Sequence, residues 1–275
     1  MRIYISCDME GVAGISDWQQ VSPGPEFALG RRLLLAEVNA AIDGAREAGA
    51  DSFLVNDSHG AMQNLAPDEL HAGAEYLSGH HKPLYMMEGL DQSFDAIFFI
   101  GYHGAIDGPP AILSHTYSPV AVMGASLDGI LAGESGINCL VAAHYGVPVA
   151  LVTGDQHTAA QAQPFCPGAE MVVVKHSLTR FAARSLHPAA ARLAIQTGAR
   201  AAVTRLGELR APQFSSPARL RLRLRDADLV AMATAVRDVS RESDTEISVA
   251  GRDQLAVFRN FVAVLQIIRS LALER

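Results

Sequence analysis

Two carboxylates stand two residues apart near the start of the chain, in Ser6-Cys7-Asp8-Met9-Glu10-Gly11. In an extended segment, side chains two apart project the same way, so Asp8 and Glu10 can act as a pair. Three more apolar runs end in a similar manner. They lead into Asp57-Ser58-His59-Gly60, Gly101-Tyr102-His103-Gly104 and Gly154-Asp155-Gln156-His157. Taken singly, each signal is weak: an Asp-x-Glu is most often a solvated loop, and a histidine closing a strand is most often a hydrogen-bonded loop residue. Their convergence alters the reading. In open α/β sheets ligands bind beyond the carboxyl ends of the strands, where all four segments would meet. Carboxylates crowded out of water are costly unless a cation sits between them. Two carboxylates with two imidazoles, Asp8, Glu10, His59 and His103, suit zinc.

The elements that must position these residues follow from the hydrophobic pattern. Residues 2–7 read as a buried strand, 27–48 as an amphipathic helix stopped at Gly49, and 51–56 as a second strand. That succession is a βαβ unit and demands a parallel pair. Strands are expected at 94–102, 147–153 and 171–175, and helices at 135–145 and 188–205. After about Gly207 the pattern changes. Leu220, Leu222 and Leu224 alternate with Arg219, Arg221, Arg223 and Arg225, the mark of a strand with one solvated face. A helix at 226–239, a short strand near Ile247 and a long amphipathic helix at 253–273 complete the chain. The expectation is an α/β fold, a three-layer sandwich around a mainly parallel sheet. Residues 1–206 would form the catalytic domain and 207–275 a smaller C-terminal α+β lobe.

Composition narrows the function classes. Hydrophobic residues make up 49% and charged residues 19%, a globular balance. The formal net charge of −7 argues against a nucleic-acid partner. Three scattered cysteines, Cys7, Cys139 and Cys166, provide no disulfide framework and fit a reducing compartment. The opening apolar run is too short for an export signal, and no uncharged stretch is long enough to span a bilayer. A cytoplasmic protein with no membrane partner is expected.

The segment Ser6-Cys7-Asp8-Met9-Glu10-Gly11 resembles the Ser-x-Asp-x-Glu-Gly signature of the M55 D-aminopeptidases. Further resemblances follow in order: Val55-Asn56-Asp57-Ser58-His59, Gly101-Tyr102-His103, Leu113-Ser114-His115-Thr116 and Gly133-Glu134-Ser135-Gly136-Ile137-Asn138. They continue through Val147-Pro148-Val149 and Val174-Lys175, so most of the chain is covered. Cys7 departs from the small aliphatic residue of the signature, and its side chain should point away from Asp8 and Glu10.

The resemblance implies that Asp8, Glu10, His59, His103 and Glu134 bind two zinc ions per subunit, with Asp8 between them. It implies a catalytic role for His115, and a homo-oligomer, a decamer in the family. It implies a small peptide substrate with a free amino-terminal D-residue, such as D-Ala-D-Ala. Two zinc ions against three carboxylates leave one positive charge, so a bound water should ionise near neutrality. His115 would then shuttle a proton or stabilise the oxyanion, or serve as the nucleophile described in the family. Asp57 is a candidate to orient the His59 ring. For Lys175 a structural salt bridge is expected, with a substrate carboxylate as the alternative. Asp155 and His157 have no assigned role, His80-His81 reads as surface, and Cys139 as core. Two rivals stand beside this reading: a metal-dependent phosphatase or esterase on a similar sheet, and a non-catalytic dipeptide-binding protein.

Overall fold

The computed structural model describes residues 1–216 and 218–273. The strand β1 (Arg2–Cys7) alternates between two cores. Ile3, Ile5 and Cys7 pack with one buried cluster, and Tyr4 with the other. The chain then forms a short helix α1 (Trp18–Val21), a long helix α2 (Phe27–Glu47) and the strands β2 (Ser52–Asp57) and β3 (Ala74–Leu77). A 3₁₀ turn at Tyr85–Met87 leads to β4 (Ala96–Ile100), and then come β5 (Val122–Leu127), β6 (Ile130–Leu131) and α3 (Glu134–Tyr145). Next are β7 (Val149–Asp155), α4 (Gln156–Ala162), β8 (Glu170–Thr179), β9 (Ala182–Ser185) and α5 (Pro188–Thr204). The described chain ends with β10 (Leu220–Leu224), α6 (Ala227–Ala233), β11 (Val239–Arg241), β12 (Glu246–Val249) and α7 (Gln254–Leu273).

The main sheet runs β3-β2-β1-β4-β7-β8-β9. It is parallel throughout except for the edge pair β8–β9. From β1 the chain moves outward to β2 and β3, returns to β4, and then proceeds the other way to β7 and β8. The order therefore reverses between β1 and β4, which is where a crevice opens in such sheets. One face is covered by α2 and α5, through Leu34, Val38, Ala41 and Ile42 on the first and Ala191, Ile195 and Ala199 on the second. The other face is covered by α3 and α7. The three-layer arrangement with a mainly parallel sheet is as expected.

A second sheet, antiparallel, has the order β11-β12-β10-β5-β6. Its β10, β11 and β12 come from the C-terminal segment expected to form the smaller lobe, whereas β5 and β6 come from within residues 1–206. β10 pairs Leu220–Leu224 with β5, and one buried cluster runs from this sheet through α7 and α3 to the main sheet. Leu220, Leu222 and Leu224 are buried, and Arg219, Arg221 and Arg223 exposed, as their alternation requires. The helix expected at 226–239 is shorter than the pattern suggests. It ends at Ala233, the chain turns at Asp238 (φ 63°), and Val239 pairs with Val249 as an edge strand.

The helix α7 is long and apolar enough, by length and composition, to cross a membrane. About half of it is buried in the protein, through residues such as Phe258, Phe261 and Leu265, and Arg259 and Arg269 interrupt its apolar run. It is a core helix of the layer against the main sheet.

Candidate metal centre and active site

Asp8 and Glu10 leave the end of β1 in a loop pressed against the end of β4. The Asp8 N–H donates to the Ile100 carbonyl and the Gly11 N–H to the Gly101 carbonyl, both at 2.8 Å. A Cβ on Gly11 would lie 1.8 Å from the Tyr102 carbonyl oxygen, so only glycine permits this approach. From behind, Lys175, buried midway along β8, donates to the carbonyls of Glu10, Val12 and Ile15. Among the described residues Lys175 makes no ion pair, contrary to expectation, and it does not line the cavity. It satisfies three carbonyls of the loop that presents both carboxylates.

His59 follows β2. Its Nε2–H donates to the carbonyl of Val21 at 2.7 Å, an otherwise unpaired group at the end of α1. The helix α1 is held by a capping box between Asp17 and Gln20. The His59 Nδ1 is thereby turned inward, 3.1 Å from Asp8 Oδ1 and 3.1 Å from Glu10 Oε2. His103 follows β4. Its Nδ1 is committed to the Gly104 carbonyl, and its Nε2 lies 3.3 Å from Asp8 Oδ2 and 3.5 Å from Glu134 Oε1. Glu134 is the first residue of α3, and its Oε1 also accepts the Tyr117 N–H at 2.7 Å. His115 lies in the loop between β4 and β5. Its Nδ1 is committed to the Leu113 carbonyl, with Nε2 3.5 Å from Glu134 Oε1. Each imidazole thus spends one nitrogen on a main-chain carbonyl and offers the other to the site, the usual second contact of a metal-binding histidine.

These side chains group by donor distance into Asp8, Glu10 and His59; Asp8, His103 and Glu134; and Glu10, His103 and His115. Asp8 belongs to the first two. Asp8 Oδ2, Glu10 Oε2 and His103 Nε2 are buried without a hydrogen bond, although charged neighbours lie close. Burial works against charge on His59 and His103, but the neighbouring carboxylates outweigh it and raise both well above the usual imidazole range. Burial opposes ionisation of Asp8 too, and the two imidazoles reverse that and hold its pKa well below the usual range. Such a site attracts positive charge. Orphaned donors and a mixed carboxylate–imidazole set fit zinc.

The cavity above this cluster has a volume of about 440 Å³ and is lined by Asp8, Glu10, His59, His115 and Glu134. Its wall adds Trp18, Phe27, Tyr85, Tyr117 and Arg269, which the sequence reading did not single out. His103 is buried and does not line the cavity. Other candidates fall away from the chemistry. Asp57 accepts from Asn64 and from the Leu65 N–H, shaping the His59 turn without touching the ring. Asp155 caps α4 through the N–H groups of His157 and Thr158. His80 and His81 are exposed, and Cys139 is in the core with its Sγ 3.5 Å from that of Cys166. Cys7 faces the α2 side of the sheet, away from Asp8.

The M55 D-aminopeptidase family model matches residues 1–263. The chain belongs to the M55 D-aminopeptidase family. A D-aminopeptidase from Bacillus subtilis (strain 168) is 38% identical over 192 residues, covering 70% of this chain and 69% of the relative. Among solved structures, the Zn-dependent D-aminopeptidase DppA from Bacillus subtilis, described as a self-compartmentalizing protease, superposes with a TM-score of 0.92. That alignment covers 100% of this chain and 99% of the other at 28% identity. Membership of a peptidase family goes against both the phosphatase or esterase reading and the non-catalytic binding reading.

Proposed function

We infer that this M55 protein is a zinc-dependent aminopeptidase acting on short peptides that carry a free amino-terminal D-residue. The observation that carries the reading is Asp8, whose carboxylate is shared by two donor groups, each containing buried atoms without a hydrogen bond. Asp8, Glu10 and His59 would hold one zinc, and Asp8, His103 and Glu134 a second. Bound zinc supplies polarisation of the scissile carbonyl and activation of water.

The chain's own residues do the rest. His115, its Nδ1 fixed on Leu113, offers Nε2 to the cavity and carries the proton to the departing amine. Trp18 packs edge-on against that ring, centroids 5.6 Å apart, and limits its swing. A free amino terminus reaching the floor could pair with a carboxylate there or, once deprotonated, serve as a ligand to bound zinc, whereas an acetylated peptide could do neither and would lose its alignment. The preference for D-residues rests on the relatives' activity.

Assembly into a homo-oligomer, a decamer in this proposal, is supported by the compartment-forming neighbour and by Leu178 and Phe181, left 69% and 55% exposed around the β8–β9 turn. A cytoplasmic setting is supported by three free, buried cysteines. The decisive comparison uses zinc-loaded protein with D-Ala-D-Ala, L-Ala-L-Ala, N-acetyl-D-Ala-D-Ala and D-Ala-Gly-Gly. Cleavage of the free D-peptides is expected. Equal rates on free and acetylated peptides would overturn the aminopeptidase reading, and faster cleavage of L-Ala-L-Ala would remove the D-preference alone.

A further inference from the structure

The helix α7 contributes one side chain to the cavity lining, Arg269. It is partly buried, and its Nη1 donates to the Tyr85 hydroxyl at 3.1 Å. The arginine–carboxylate pairs of the described residues all involve other arginines. A guanidinium facing a cavity and bonded only to a neutral phenol keeps most of its donors free, in a fork that matches a carboxylate.

Its partner is held firmly relative to the acidic cluster. Tyr85 has φ 49°, an unusual value for an aromatic residue, and its carbonyl accepts from Asn56 Nδ2. The next carbonyl, that of Met86, accepts from Ser6 Oγ at 2.8 Å and from Ser58 Oγ at 3.2 Å. Ser6 and Ser58 lie beside Asp8 and His59 in the chain. The Tyr85 ring also rests on Tyr117, centroids 5.7 Å apart, and the Tyr117 N–H donates to Glu134. The cavity is therefore bipolar: carboxylates and imidazoles gather at its floor, and on its wall stands Arg269, which among the described residues has no ion-pair partner.

We propose that Arg269, steadied by Tyr85, binds the C-terminal carboxylate of the substrate, so that the enzyme selects free di- and tripeptides by both ends. This rests on the aminopeptidase reading, which places the amino terminus at the acidic floor. A zwitterionic short peptide has opposite charges at its two ends, and in a cavity of about 440 Å³ only a short peptide brings both ends inside. Arg269 then acts on binding, and its contribution belongs chiefly in KM.

The test measures release of D-Ala by the zinc-loaded full chain from D-Ala-D-Ala and from D-Ala-D-Ala amide, which differ only at the C-terminal carboxylate. Wild type is expected to favour the acid roughly ten- to a hundredfold in kcat/KM, mostly through KM. Arg269→Gln is expected to bring that ratio close to one, and Arg269→Lys to recover part of it as a charge without the fork. Zinc content and circular dichroism verify that each variant is folded. A wild-type ratio near one overturns the inference without needing any variant, and leaves the aminopeptidase reading standing. So does a folded Arg269→Gln that keeps the wild-type ratio. Cleavage of neither peptide by zinc-loaded wild type overturns the aminopeptidase reading, and this inference with it.

Discussion

His103 and His115 stack face to face, with ring centroids 4.2 Å apart and planes 14° from parallel, and both Nε2 atoms lie 3.5 Å from Glu134 Oε1. The two rings differ in setting: His103 is sealed from the cavity and His115 lines it. Proton transfer needs access to the substrate, which only His115 has. His115→Ala is expected to keep its zinc and lose about 10²- to 10⁴-fold in kcat. Elemental analysis beside steady-state kinetics checks this. Zinc-free His115→Ala protein would make His115 a ligand.

The shared position of Asp8 predicts an uneven set of losses. Wild type is expected to hold about two zinc ions per chain, His59→Ala and Glu134→Ala about one, and Asp8→Ala close to none, because Asp8 is the residue common to the two groups assigned to zinc, Asp8-Glu10-His59 and Asp8-His103-Glu134. Metal content after dialysis against trace zinc reads this directly. A wild-type value of one, unchanged after zinc is added back, would remove the paired site.

Gly101 stands where the end of β4 meets the loop of Asp8. It has φ +72°, and a Cβ there would lie 2.2 Å from the Asp8 carbonyl oxygen. Gly101→Ala is expected to lose at least about 2 kcal/mol of stability and to bind zinc more weakly, since the strained alanine can relax only by pushing Asp8 away. Urea unfolding together with zinc titration distinguishes this from a silent change.

Behind the same loop, burial pushes Glu37 from 4.5 up to about 7, against the pull of the Ala13 N–H and Lys175. Between these values the unfolded chain has released the proton and the folded chain still holds it. Stability from this group therefore falls as pH rises from about 4.5 to 7, by on the order of 3 kcal/mol. Glu37→Gln keeps an acceptor for Ala13 and cannot ionise. Its stability relative to wild type should grow across that window, as read by urea unfolding at pH 5, 6 and 7. A constant difference between the two proteins would refute the shift.

Much of the site was legible in the chain itself. A strand end is a local event, set by where an apolar run gives way to glycine and a polar residue. Asp8, Glu10, His59 and His103 could thus be placed at strand ends from their neighbours alone. The alternation of Leu220, Leu222 and Leu224 with arginines likewise fixed which face of β10 is buried, because strand periodicity needs no partner. His115 and Glu134 carried no such local mark and were reached through resemblance to a family.

What required the tertiary structure was every relation between distant segments. The reversal of strand order between β1 and β4 sets the Asp8 loop against Gly101, and hydrophobic pattern says nothing about which strands become neighbours. The carbonyls of Val21, Gly104 and Leu113 decide which nitrogen of each imidazole faces inward, and a sequence does not carry that choice. β5 joins β10 across the boundary expected near residue 207, because its open edge pairs with whichever strand packing brings beside it. In the sequence nothing separates Arg269 from the other charges of an amphipathic helix. Only the docking of α7 against α3 turns it into the wall of a cavity whose floor was built by residues from the first half of the chain.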